Sequence, residues 1–178
     1  MNDEPACRGA RWMSMFAFAA VCAAVCVAMT ACAGSKGGGK SLPQQPSEVV
    51  PSRMTISAAL PQDTDLNGYP DMIDLTIFVF DDRYPIPLDV PGTFTFKLSG
   101  AKEGRLLREW AIPPDKVVAA RRRMPAGPGY VFSLSLLDNG GDHIEAQHAD
   151  LTAEYMPLKG PVVKMRGGST LRLGKLTQ

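Results

Sequence analysis

Four aspartates and an asparagine crowd one short stretch, DTDLNGYPDMID, residues 63–74: Asp63, Asp65, Asn67, Asp71 and Asp74. Counted from Asp63 they fall at positions 1, 3, 5, 9 and 12, with Gly68 at position 6, where the chain must turn sharply. Tyr69, at position 7, would add its backbone carbonyl. This spacing wraps oxygens around a hard cation, and calcium is the ion it fits. Asn-Gly also forms a turn by itself, and aspartate side chains cap turns, so an acidic turn is the competing reading. Charge bears on the choice. Residues 54–92 hold seven acids against one base, net −6. Crowding of that kind is repulsive unless a cation or a basic surface offsets it. Residues 93–178 hold thirteen bases and eight acids, net +5, so pairing within the chain is the alternative to an ion.

The stretch resembles the calcium loops of EF-hands, dockerins, thrombospondin type-3 repeats and integrin-type propeller repeats, and its NGYPD run is nearest to the last two. That resemblance implies Asp63, Asp65, Asn67, Tyr69 and Asp71 as ligands and Asp74 as the closing ligand. Pro61 stands where an EF-hand would have its first helix, an apolar strand pattern follows Asp74, and the loop occurs once. What remains is a single cation loop set between strands.

The segments around the loop read as strands. TFTFKLS (93–99), YVFSLSLL (130–137) and ADLTAEY (149–155) alternate apolar and polar residues with period two, and LTIFVF (75–80) is continuously apolar, as a central strand is. MTISAAL (54–60), RLLREWAI (105–112), VVKM (162–165) and TLRLGKL (170–176) are weaker members of the same kind. Glycine- and proline-rich turns, AGPG among them, separate the strands. PPDKVVAARRRMP (113–125) reads as a short helix, with Asp115 at its start and Arg121–Arg123 at its end. Eight short strands in this length predict an all-β fold, a single β-sandwich of immunoglobulin-like or C2-like type with one helix over residues 54–178; a small barrel is the alternative.

The first 53 residues are of another character. Residues 13–29 are uncharged and almost wholly apolar, behind Arg8 and Arg11, as in an export signal. They lead into MTAC, Met29-Thr30-Ala31-Cys32, which resembles the lipobox of bacterial lipoproteins. The resemblance implies that residues 1–31 are a signal peptide and that Cys32 carries lipid, anchoring the protein to a membrane of the bacterial cell envelope. All four cysteines lie at or before position 32, so the domain has neither a disulfide framework nor a thiol nucleophile. GSKGGGKS (34–41) fits the phosphate-loop pattern but has no strand before it and prolines after it, so no nucleotide is expected. Residues 32–53 read as the lipidated cysteine and a flexible linker.

The remaining chemistry is sparse. The formal net charge of +1 gives no field for nucleic acid. His143 and His148 lie five apart, not the four that two zinc ligands on one helix turn require. No nucleophile elbow is present, and no enzyme is expected. Trp110 alternates with Leu106 and Ile112 and reads as core. Tyr69 and Tyr84 flank the acidic region near turns and could stack on sugars. The expected function is therefore a non-catalytic, calcium-stabilised lipoprotein domain with structural or protein-binding roles towards an envelope protein or a glycan. A carbohydrate-binding module of the cell envelope is the alternative.

Overall fold

The computed structural model describes residues 43–175, within a compact unit Leu42–Gln178. The expected signal peptide, Cys32 and the first part of the linker lie outside the described residues. The elements run β1 (Arg53–Ala58), β2 (Met72–Phe80), β3 (Gly92–Gly100), β4 (Leu106–Ile112), α1 (Pro114–Ala120), β5 (Arg121–Met124), β6 (Gly127–Ser135), a 3-10 turn (Leu137–Asn139), β7 (His148–Pro157), β8 (Val163–Lys164) and β9 (Ser169–Arg172).

Two antiparallel sheets form a single β-sandwich. One has the order β1-β2-β6-β5. The other runs β4-β3-β7, with β8 and β9 pairing in turn along the far edge of β7. Period-two alternation puts Ile73, Leu75, Ile77 and Val79 of β2 and Phe94, Phe96 and Leu98 of β3 on the inner faces, all fully buried. Phe94 is the central plug. Its ring lies 4.5 Å from Tyr155 in its own sheet and 5.5 Å from both Tyr130 and Phe132 of the opposite sheet. Such tilted and edge-on aromatic pairs add to the burial of their large apolar areas. Trp110 is buried as expected, and its indole N–H donates to the Ser135 carbonyl at 3.0 Å. Among the described residues, the nine strands pack their core side chains on one another within one compact unit, so this segment carries a hydrophobic core of its own on which to fold.

Two expectations are corrected. Arg121–Arg123 do not end the helix. α1 stops at Ala120, Arg121 is extended (ψ 136°), and the arginines form the edge strand β5, paired Arg121↔Tyr130 to Met124↔Gly127. Ladder bonds to β6 satisfy more backbone groups here than another turn of a seven-residue helix would, and Pro125 ends any helix anyway. AGPG is likewise mostly strand, with the turn only at Pro125 and Ala126. Gly129 is needed because the Phe78 ring of β2 lies across it: a Cβ there would sit 2.8 Å from that ring.

Residues 43–52 are strapped to the sandwich. Tyr84 Oη donates to the Pro43 carbonyl, and Gln45 exchanges hydrogen bonds with the Asp89 backbone (N to Oε1, 2.7 Å; Nε2 to O, 3.3 Å). The Val50 N–H donates to Asp81 Oδ2 at 2.9 Å. Asp81 is buried and also receives the Arg83 N–H and guanidinium. The Arg83 side chain and then these backbone donors hold its carboxyl well below the usual carboxylate range.

Candidate metal site

The β1–β2 connection folds the acidic stretch back on itself. Gln62 bonds Met72 across its base (Gln62 N–H to Met72 O, 2.9 Å). Asp63 Oδ2 accepts the Gly68 N–H at 2.8 Å, and the Asn67 N–H lies 3.2 Å from Asp63 Oδ1 and 3.1 Å from Asp65 Oδ1. The loop thus curls around its own carboxylates. The curl requires left-handed backbone at Leu66 (φ 63°) and Gly68 (φ 90°). Glycine adopts that region freely; a leucine there is strained and is held by the side-chain bonds around it.

One carboxylate oxygen each from Asp63, Asp65 and Asp71 lie within 4.8 Å of one another. Asp71 is only 1 % exposed. Its Oδ2 accepts from Thr64 twice, from N–H at 3.0 Å and from Oγ1 at 2.6 Å, while its Oδ1 is buried and accepts no hydrogen bond. No lysine or arginine forms an ion pair with these three carboxylates among the described residues. The donor set is all oxygen, which suits a hard divalent cation and not a thiophilic one.

The other expected ligands are placed differently. Asn67 stands in the loop: its Oδ1 accepts the Tyr69 N–H at 2.8 Å, and its Nδ2 donates to Asp65 Oδ2 at 3.0 Å. Asp74 is outside the group. It is the third residue of β2, and strand alternation turns it away from the side that Asp71 and Ile73 share. Its carboxylate is taken by Ser133 Oγ on β6 and by Gln62 Nε2. Spacing alone located Asp74 but could not reveal that the strand starts before it.

A residue outside the loop joins it. Asp142, in the β6–β7 connection, is 8 % exposed and accepts from Asn67 Nδ2 at 2.6 Å. Next to it, His143 packs its ring on Tyr69, with centroids 4.0 Å apart. No local pattern in the sequence links position 67 to position 142. Tyr69 and Tyr84 lie beyond opposite ends of β2, so they do not form one aromatic platform.

His148 is parted from His143. It lines an open cleft of about 580 Å³ together with Lys102, Glu103, Arg105 and Glu145, where no Ser, Thr or Cys is present. No helix among the described residues is long and apolar enough to cross a membrane. The chain matches no protein-family model, no curated protein and no solved structure.

Proposed function

We propose that this protein is a non-catalytic lipoprotein of the bacterial cell envelope, held to the membrane through lipid on Cys32, whose β-sandwich binds calcium in the 63–71 loop and serves a structural or protein-binding role. The anchor rests on the MTAC lipobox behind an apolar leader. The ion rests on one observation above all: the Asp71 Oδ1, withdrawn from water beside two further carboxylates, has no donor. An unsatisfied charged group of this kind costs more than the roughly 1–3 kcal/mol of a neutral one, and a cation is what offsets it. Asp63, Asp65 and Asp71 would hold the ion, with Asn67 and the Tyr69 carbonyl as the further ligands that the spacing implies. Bound there, calcium would offset most of the loop's negative charge and rigidify it.

Melting of residues 43–178 in Ca²⁺ against chelator tests the ion. For an extracytoplasmic site with Kd of about 10⁻⁴–10⁻³ M, about 10 mM Ca²⁺ raises stability by roughly 1.4–2.7 kcal/mol. An unchanged midpoint sinks the calcium reading. Metabolic labelling with palmitate tests the anchor, with Cys32→Ala expected to lose the label. The second reading, a carbohydrate-binding module, draws on Tyr69, a half-buried ring beside the acidic loop. Glycan-array binding abolished by Tyr69→Ala would favour it.

A further inference from the structure

We infer that the tip of the β7–β8 hairpin is a membrane-contact wedge, seated on the surface of the bilayer that carries the lipid anchor. The inference rests on the anchor proposed above and adds a second contact, made by the sandwich itself.

The tip, PLKGPV (157–162), presents apolar side chains to water. Met156, Leu158, Val162 and, from the strap, Val50 are between 43 and 67 % exposed. They stand together. Tyr155 pairs with Val163 and both are buried, so strand register brings Met156 opposite Val162 and turns the two outward. Leu158, two residues on from Met156, continues the outward series, and its N–H donates to the Pro91 carbonyl at 3.3 Å. Val50 closes the group: a Cβ built on Gly160 would lie 3.5 Å from Val50 Cγ1. Contiguous exposed apolar surface of this kind marks a place that another surface covers. Lys159, between Leu158 and Gly160, can lay its stem on that surface and raise its ammonium to lipid phosphates.

Position says what covers it. The hairpin shares its end of the sandwich with the strap: Gly92 pairs with Pro157, and Arg53 with Phe80. Pro43, bonded to Tyr84 at this same end, is eleven residues past Cys32. Even fully extended, that length spans at most about 40 Å. Lipid on Cys32 therefore keeps Val50, Leu158 and Val162 within reach of the bilayer. Leu60 and Leu66 are also exposed, but they neighbour Asp63 and Asp65 at the opposite end, and an anionic lipid surface repels those carboxylates. At the hairpin end Asp81 and Asp89 are paired with Arg83 and Arg121, which leaves Glu48 and Asp82. Apolar burial, more than net charge, drives the contact.

The test uses the full chain, expressed, processed and reconstituted into phosphatidylethanolamine–phosphatidylglycerol vesicles. All four natural cysteines lie at or before position 32, so in the lipidated mature chain an introduced cysteine is the one free thiol. Val162→Cys is labelled with a polarity-sensitive fluorophore, and Leu137→Cys, exposed after β6 at the acidic end, is the control. The expected result is blue-shifted emission at position 162 that doxyl-labelled lipid quenches, water-like unquenched emission at position 137, and return of the 162 label to water in Leu158→Asp. Water-like emission at both positions, with the chain still floating with the vesicles, overturns the wedge and leaves the anchor standing. Equal quenching at both positions also overturns it. So does a blue shift that doxyl lipid leaves unquenched, since another protein or a second copy then covers the tip. A chain that cells yield free of membrane and without palmitate overturns the anchor, and the wedge with it.

Discussion

Tyr130 and Tyr155, one from each sheet, place their hydroxyls on the same backbone carbonyl, that of Val90, at 2.7 and 3.0 Å. Tyr130 Oη also accepts the Val90 N–H at 3.0 Å. The β2–β3 connection is thereby stitched to both layers at the edge of the aromatic core. The two phenols are not equivalent. Tyr130→Phe strands the Val90 N–H and should cost about 1–3 kcal/mol, whereas Tyr155→Phe removes one of two donors to a carbonyl and should cost about 0.5–1.5 kcal/mol. The double variant should lose more than the sum, because only then is the carbonyl left bare. Urea unfolding of the three variants measures this; equal single costs would refute it.

The same pair sets an alkaline limit. Burial pushes the Tyr130 hydroxyl up to about 12 and raises that of Tyr155 as well. An unfolded tyrosine ionises near 10. Above that pH the unfolded chain releases protons that the folded one retains, so stability is intact below about pH 10 and falls as pH rises towards the folded values. In a Tyr69→Phe/Tyr84→Phe background, phenolate absorbance and circular dichroism followed together should change in one step, and Tyr130→Phe should weaken the pH dependence.

Asp81 works in the opposite direction. Its folded-state pKa lies below the ordinary value of about 3.9, so its contribution is present above that pH and fades as acid titrates the folded carboxylate. Asp81→Asn should therefore melt earlier than wild type at neutral pH, with the gap closing below about pH 4. Hydrogen exchange should quicken at the Val50 amide, which donates to this carboxylate. A gap that is constant with pH would rule out the charge as its source.

The arginines of β5 guard an open sheet edge. Arg121 pairs with Asp89, while Arg122 and Arg123 are exposed on a strand whose outer side has no neighbour in its sheet among the described residues. Charged residues on such an edge discourage pairing with other chains. Replacing Arg122 and Arg123 with valine should leave unfolding stability within about 0.5 kcal/mol of wild type but cause concentration-dependent association. Sedimentation would show it, and monomers at all concentrations would refute it.

How far the sequence could be read follows from the range of each signal. Period-two patterns are local, so β3, β6 and β7 were legible to within a few residues, and the layered all-β fold followed from them. The Arg121–Arg123 run was misread because the sign of its charges suited a helix end, whereas its conformation is set by pairing with residues 127–130. The converging Asp63, Asp65 and Asp71 were legible because one tight loop brings them together. Asp74 was misplaced because the start of β2 decides which way it points. Asp142 was out of reach because its partnership with Asn67 depends on two connections meeting at one end of the sandwich.

The strap at residues 43–52 gives the molecule a polarity. It ends at Tyr84 and Asp89, past the last residue of β2, while the acidic loop precedes the first; nine residues of strand, about 26 Å, separate the two. Pro43, where the strap begins, therefore lies at the Tyr84 end of the sandwich, and Asp63, Asp65, Asp71 and Asp142 lie at the opposite end. Loosening or tightening the acidic tip need not disturb the strap.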